Sequence, residues 1–453
     1  MNLQALVICL VTIFVIWRYS VEAAVLNVYL PVLLLISSSY SLLIAHLPPT
    51  SLQALALYPI VFWLFLSRPY LWRFRRTDLW LLAFCAEASY SEYLNSGFPG
   101  NGIFSFAGFI SDYFFPYVLG KMLLEEPGFR ERFARRLVLL VSIVGVFSTL
   151  EFATGKNIFH MVSTHLFRGF PGWYFQMRYG FTRIQGSLPG PENAGNIFLI
   201  CIFLGFWLRF VAKFRFPPER SLLKLRSSTW TLLGLVLGSA MTLSRGPWLG
   251  IVFGLPIARI GRAKNLALAV SLTLLLFLVG YGAVRQWAKQ YTTVSEGVSE
   301  DSVSEAQSTA IYRQKAFAQY EVIAEKGGLL GWGMSNWPKV PGLDSIDNEY
   351  LLLRVSQGKI GYWLFMIMIV EAAIGIYRAV RASLNPIDTC FYFCLAGALA
   401  GLLASLNTVF TIGQTTVLLW LIFGWIQSLQ PTPLPPGWVF SDIRQFRFKR
   451  VFA

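Results

Sequence analysis

Residues 191–226 read PENAGNIFLICIFLGFWLRFVAKFRFPPERSLLKLR. Between Glu192 and Arg209 no side chain is charged, and such a run suits a membrane-crossing helix, which needs about 20 mainly apolar residues. Arg209, Lys213, Arg215, Arg220, Lys224 and Arg226 then follow together, as they do on the cytoplasmic side of membrane helices. The stretch therefore predicts a span over 191–211 with its C-terminal end inside.

The same alternation continues in both directions. Apolar runs predict spans near 2–17, 23–45, 52–66, 78–95, 103–124, 136–154, 229–244, 246–260, 265–284, 349–377, 386–407 and 409–429, or about 12–13 transmembrane helices with 191–211 included. Basic groups recur between them: Arg68, Arg73, Arg75 and Arg76; Lys121, Arg130, Arg132, Arg135 and Arg136; Arg259, Arg262 and Lys264; Arg378 and Arg381. A tail over 430–453 carries Arg444, Arg447, Lys449 and Arg450. If the spans alternate, every cluster lies on one side, which is then cytoplasmic.

Composition agrees with this reading. Of 453 residues, 55% are hydrophobic and 13% charged, whereas soluble domains carry about 25% charged residues. A soluble enzyme and a disordered or fibrous chain are excluded. The expectation is an all-α polytopic integral membrane protein, a single transmembrane domain over 1–453. The net charge of +15 belongs to the inside loops and implies no nucleic acid. Cys9, Cys85, Cys201, Cys390 and Cys394 all sit in apolar segments and imply no disulfide framework.

The other side receives two larger extracytoplasmic segments, 155–190 and 285–348. The first is rich in aromatics and glycine (Phe170, Gly172, Trp173, Tyr174, Phe175, Tyr179). The second opens with Glu296, Glu300, Asp301 and Glu305, becomes helix-like over 306–325, and ends in GGLLGWG over 327–333. Nucleotide-binding, serine-hydrolase and zinc-protease motifs are missing, and His46, His160 and His165 are too scattered for a metal site. What remains is charge at the outer face. Arg245, in TLSRGPWLG over 242–250, stands between two apolar runs, where an arginine is costly unless it snorkels or meets water or an anion. With Arg183 and Arg313 it could form a set of guanidinium forks suited to a diphosphate. Asp347 precedes the run that starts at Glu349 and reads equally as a helix N-cap or a general base, an ambiguity that Asn348 and Glu349 share.

Ser244-Arg245-Gly246 with Trp248-Leu249-Gly250, Arg313 followed by Gly331-Trp332-Gly333, Asp347-Asn348-Glu349-Tyr350-Leu351 and Gly358-Lys359-Ile360-Gly361 together resemble the signature of the bacterial O-antigen ligase and polysaccharide polymerase superfamily. Arg183-Ile184-Gln185-Gly186 resembles a further element of it. The resemblance implies an extracytoplasmic glycosyltransferase of the bacterial inner membrane that needs no cofactor or metal. It would move a glycan from an undecaprenyl-diphosphate carrier to a sugar hydroxyl on a glycan or lipid-linked glycan acceptor. By the same resemblance Arg245 and Arg313 hold the diphosphate and Arg183 supports them; Ser244, Asn348 and Glu349 join Arg183 as substrate-binding candidates, and Asp347 is read as the base for the acceptor hydroxyl. The ligases carry a His-Asn pair where this chain has Asp347-Asn348, which favours a polymerase. The alternative from another class is a small-anion, bicarbonate-like transporter. Glu87, Glu92, Asp112 and Glu371, the ionisable residues inside spans, lack the symmetry that transporters show.

Overall fold

The computed structural model describes residues 3–42, 49–97, 99–167, 175–215, 227–263, 268–273, 305–343, 345–383 and 385–430. Helices dominate: α1 (Leu3–Arg18), α2 (Val21–Leu35), α3 (Leu52–Ser67), α4 (Arg76–Asn95), α5 (Gly100–Leu123), α6 (Phe129–Thr154), α7 (Ile158–Phe167), α8 (Pro191–Arg215), α9 (Ser227–Met241), α10 (Arg245–Ile260), α11 (Glu305–Gly327), α12 (Glu349–Ser356), α13 (Gly358–Ala382), α14 (Pro386–Ser405) and α15 (Gln414–Ser428). Two antiparallel ribbons accompany them: β1 (Ser41–Leu42) with β2 (Thr50–Ser51), and β3 (Met177–Arg178) with β4 (Phe181–Thr182). Among the described residues, α5, α6, α8, α13 and α14 are long and apolar enough to cross a membrane, and four shorter apolar helices accompany them.

Ion pairs and polar contacts sort the helix ends into two groups. At one end Arg68 pairs with Glu22, Lys121 with Asp78, and Arg130 with both Glu125 and Asp388, while Arg262 reaches the Phe206 carbonyl. Burial pushes the Glu125 carboxyl up while Arg130 opposes the shift. The basic clusters with described side chains gather here. At the opposite end Gln53 and Gln414 both donate to the Ile36 carbonyl, and Thr415 donates to that of Asn193.

Close backbone approach locks the bundle's middle. A Cβ on Gly250 would lie 2.4 Å from the Gly401 oxygen, and one on Gly254 would lie 2.2 Å from that of Gly397. Helices α10 and α14 therefore interlock through small residues, the usual device where lipid offers no hydrophobic drive for helix association. A second, small core lies apart from the main one and joins α11 to α12 through Ala316, Tyr320, Ala324, Leu343, Ile346 and Val355.

Several boundaries differ from the sequence expectation. The run 23–45 stops being helical at Leu35, because Ile36 turns extended (φ −114°, ψ 133°). The expected span 349–377 divides at Gln357, leaving α12 outside the apolar helix α13. The last helix starts at Gln414, not 409. The segment 155–190 contains the helix α7. Residues 268–273 are helical, but the rest of the span 265–284 lies outside the described residues, as do the acidic stretch 296–301, most of the aromatic run near 170 and the basic tail.

Candidate functional site

The turn after α14 gathers most of the candidates at the end opposite the basic one. Ser244 is the N-cap residue of α10, and Arg245 is its first helical position. The next residue, Gly246, fits only because it lacks a Cβ, which would meet Thr408 Oγ1 at 2.1 Å. From the other direction the Glu349 amide donates to the Leu406 carbonyl (2.9 Å), and Asn348 Nδ2 donates to that of Asn407 (3.1 Å). Gly246, next to Arg245, and the Asn348-Glu349 pair, a hundred residues further along the chain, thus pack on one turn over 405–408.

Arg245 donates to the Tyr179 hydroxyl and lies 5.9 Å above its ring. Tyr179 is at the tip of the β3–β4 ribbon with φ +54°, and Leu243 in the α9–α10 turn has φ +49°. Left-handed backbone at non-glycine residues costs of order 1–3 kcal/mol and persists only where surroundings impose it. Here Arg178 donates to the Leu243 carbonyl (2.7 Å) and Arg183 Nε to that of Thr242 (3.1 Å).

Arg183 has more of its donors engaged by the protein than Arg245. It bonds Gln176 Oε1 (2.8 Å), Glu192 Oε1 (2.6 Å) and Ser244 Oγ (2.8 Å), and its side chain is 6% exposed. It clamps the ribbon to the turn that presents Arg245. Glu151 completes the frame, accepting from the Gly186 amide (2.9 Å) and from Asn157 Nδ2 (2.9 Å).

Arg313 on α11 faces Asp347, with Nη2 3.7 Å from Oδ2 and both side chains about one third exposed (34% and 35%). Asp347 Oδ1 accepts from Ser345 Oγ (2.7 Å). The N-cap of α12 is Asn348, whose Oδ1 accepts from the Leu351 amide (3.0 Å), so the cap reading of Asp347 does not hold. Glu349 accepts from the Thr411 amide (2.7 Å) and hydroxyl (3.3 Å), yet burial pushes its carboxyl up to about 7.

The glycine motifs form one joint. The Trp332 and Gly333 amides donate to the Val355 and Ser356 carbonyls, while Lys359 and Ile360 donate back to Gly328 and Leu329. Gly331 (φ +71°) and Gly358 (φ +64°) approach so closely that a Cβ on Gly358 would lie 2.4 Å from the Gly331 nitrogen. Among the described residues no three His, Cys, Asp or Glu side chains group to hold a metal. Glu151, Tyr179, Glu192, Thr408 and Thr411 enter the site's framework without a motif of their own, and only the short Tyr179-Gly180 tip hinted at a tight turn. Compared with known proteins, the chain matches no family model and no curated protein.

Proposed function

We propose that the chain is a membrane glycosyltransferase that moves a glycan from a polyprenyl-diphosphate carrier to a sugar hydroxyl, on the side of the bilayer facing away from the basic loops. The observation that carries this reading is that Gly246, next to Arg245, packs with Asn348 and Glu349 on one turn, with Asp347 beside Asn348 and paired to Arg313 of α11. Departure of a diphosphate builds negative charge on the leaving oxygens, and fixed guanidinium groups stabilise it without reorganising. Arg245 and Arg313 take that role. Arg183, its donors held by Gln176, Thr242, Glu192 and Ser244, acts as a positioning residue. Asp347 accepts the proton of the attacking hydroxyl, and Arg313 holds its carboxylate in place. Beside the ribbon an open cavity of about 650 Å³ is lined by Phe152, Phe175, Met177 and Phe181, a surface suited to the isoprenoid chain. Aspartate in place of the ligase histidine favours polymerisation, the acceptor being a second carrier-linked glycan.

The test is transfer by purified protein in bilayers supplied with a lipid-diphosphate glycan. Arg245→Ala is expected to abolish transfer while insertion and melting temperature stay as in the wild type, and Arg245→Lys to restore little, because Lys lacks the bidentate fork. Wild-type transfer by Arg245→Ala defeats the diphosphate reading. Anion flux through proteoliposomes without transfer points to the transporter alternative. Orientation is checked with single cysteines at two exposed positions: Asn336→Cys is expected to label from outside intact cells, and Arg73→Cys is not.

A further inference from the structure

Glu87 lies on α4 one helical turn deeper than Ser91, which donates to the Ser356 carbonyl at the α12–α13 break. Glu87 is 8% exposed, and neither of its carboxylate oxygens has a hydrogen-bond partner. Facing it is Gln357, the residue at the break, 3% exposed and with its Oε1 likewise unpartnered. The two meet over Gly361: the point where a Cβ on that glycine would stand is 2.7 Å from Glu87 Oε2 and 2.7 Å from Gln357 Oε1. Two buried acceptors therefore converge on one small space, and neither has a donor among the described residues. An ionised carboxylate removed from water without a partner costs several kcal/mol, so this arrangement calls for a positive charge between the oxygens.

We propose that Glu87 and Gln357 form a buried binding site for one small cation, a proton or Na⁺, beneath the joint that connects α12 to α13. The chemistry shared by the two is a single positive charge bridging a carboxylate and an amide oxygen. Among the described residues no other charged group fills the role. The titratable residues on the helices packed against α4 are Asp112, Tyr113, Tyr117 and Lys121 of α5 and Lys359, Tyr362, Glu371, Tyr377, Arg378 and Arg381 of α13, and none of them bonds the Glu87 carboxylate. On α4 itself, Glu92 accepts instead from the Met334 and Ser335 amides. Occupancy stabilises the packing of α4 on the break, and through Ser91 and Gly333 it supports the 328–333 strap. The site is separate from the transfer chemistry and does not depend on it.

The experiment follows the melting temperature of the full-length protein in lipid nanodiscs. One arm titrates NaCl against choline chloride at alkaline pH. The other varies pH in choline chloride alone. If the cation is Na⁺, the wild type melts higher with rising Na⁺ in a saturable manner. If it is a proton, Na⁺ has no effect and melting temperature falls as pH rises. In either case Glu87→Gln, which keeps the shape and supplies its own N–H to Gln357, is expected to lose the Na⁺ response or, in the pH arm, to keep only the smaller response that Glu349 contributes. Equal responses in wild type and Glu87→Gln, or no response of the wild type in either arm, overturn the proposal. Should Glu87→Gln fail to fold, Gln357→Met carries the test: removing the amide oxygen is expected to raise the half-saturating Na⁺ or proton concentration severalfold, and a wild-type response overturns the pairing.

Discussion

Asp347→Asn separates chemistry from architecture at the candidate base. The cap of α12 belongs to Asn348, so the substitution removes no helix-capping bond. What it does remove is the charge facing Arg313. At 3.7 Å two unit charges attract by about 1 kcal/mol in bulk water. With each side chain about one third open to solvent (34% and 35%), the net contribution falls within the roughly 0.2–1 kcal/mol measured for exposed pairs. The Ser345 hydroxyl keeps an acceptor, because Asn retains Oδ1. Stability should therefore be nearly unchanged. Activity should not be: Asn cannot take the hydroxyl proton, and loss of a general base lowers turnover by about 100-fold or more, equivalent to about 2.7 kcal/mol of barrier. Asn348→Ala is the reciprocal control, expected to cost about 1 kcal/mol of stability. Asp347→His should recover part of what Asn loses. The assay pairs thermal melting with glycan transfer in the same bilayers. Wild-type turnover by Asp347→Asn, or a greater loss of stability than in Asn348→Ala, refutes the reasoning.

Three further outcomes follow from the same geometry. Arg183→Ala removes the bonds donated to Thr242, Ser244, Gln176 and Glu192 and is expected to lower stability by about 2–3 kcal/mol in chemical denaturation, since charge-assisted bonds are worth about 1.5–3 kcal/mol. Glu349 has a carboxyl raised to about 7, so the native state binds its proton more tightly than the unfolded chain does. Its contribution is therefore full below the ordinary carboxylate range and is lost as pH rises towards 7; Glu349→Gln should flatten that part of the melting profile relative to the wild type. Gly254→Ala forces a Cβ to 2.2 Å from the Gly397 oxygen and is expected to cost about 1–3 kcal/mol, read as a lower melting temperature.

The helices were legible because lipid-spanning runs announce themselves by length: Pro191–Ala212 and Pro386–Ser405 lie close to their expected bounds. The break at Gln357 was not, since Gly358-Lys359-Ile360-Gly361 continues an apolar pattern and only the strap 328–333 supplies the backbone partners that make a left-handed glycine favourable there. The same holds for Arg183. Its sequence neighbours say nothing of Thr242 and Ser244, about sixty residues on, so an arginine that is inward and satisfied reads the same as one that is outward and free. Asp347 and Asn348 are both good caps, and which of them accepts the Leu351 amide is settled by where the turn over 405–408 draws the Asn348 side chain.

Arg245 and the Arg313–Asp347 pair derive their rigidity from unrelated sources. The first stands on helices whose backbones touch through Gly250 and Gly401. The second rests on a small core around Tyr320, whose hydroxyl donates to the Leu343 carbonyl (2.6 Å) and accepts from the Val340 amide (3.1 Å). The molecule is thus a vice with one jaw cast into the bed and the other bolted on. Repacking the bolted jaw at Ala316, Leu343 or Val355 would shift Arg313 and Asp347 while leaving the fixed jaw seated, so the two halves of the candidate site can be retuned one at a time.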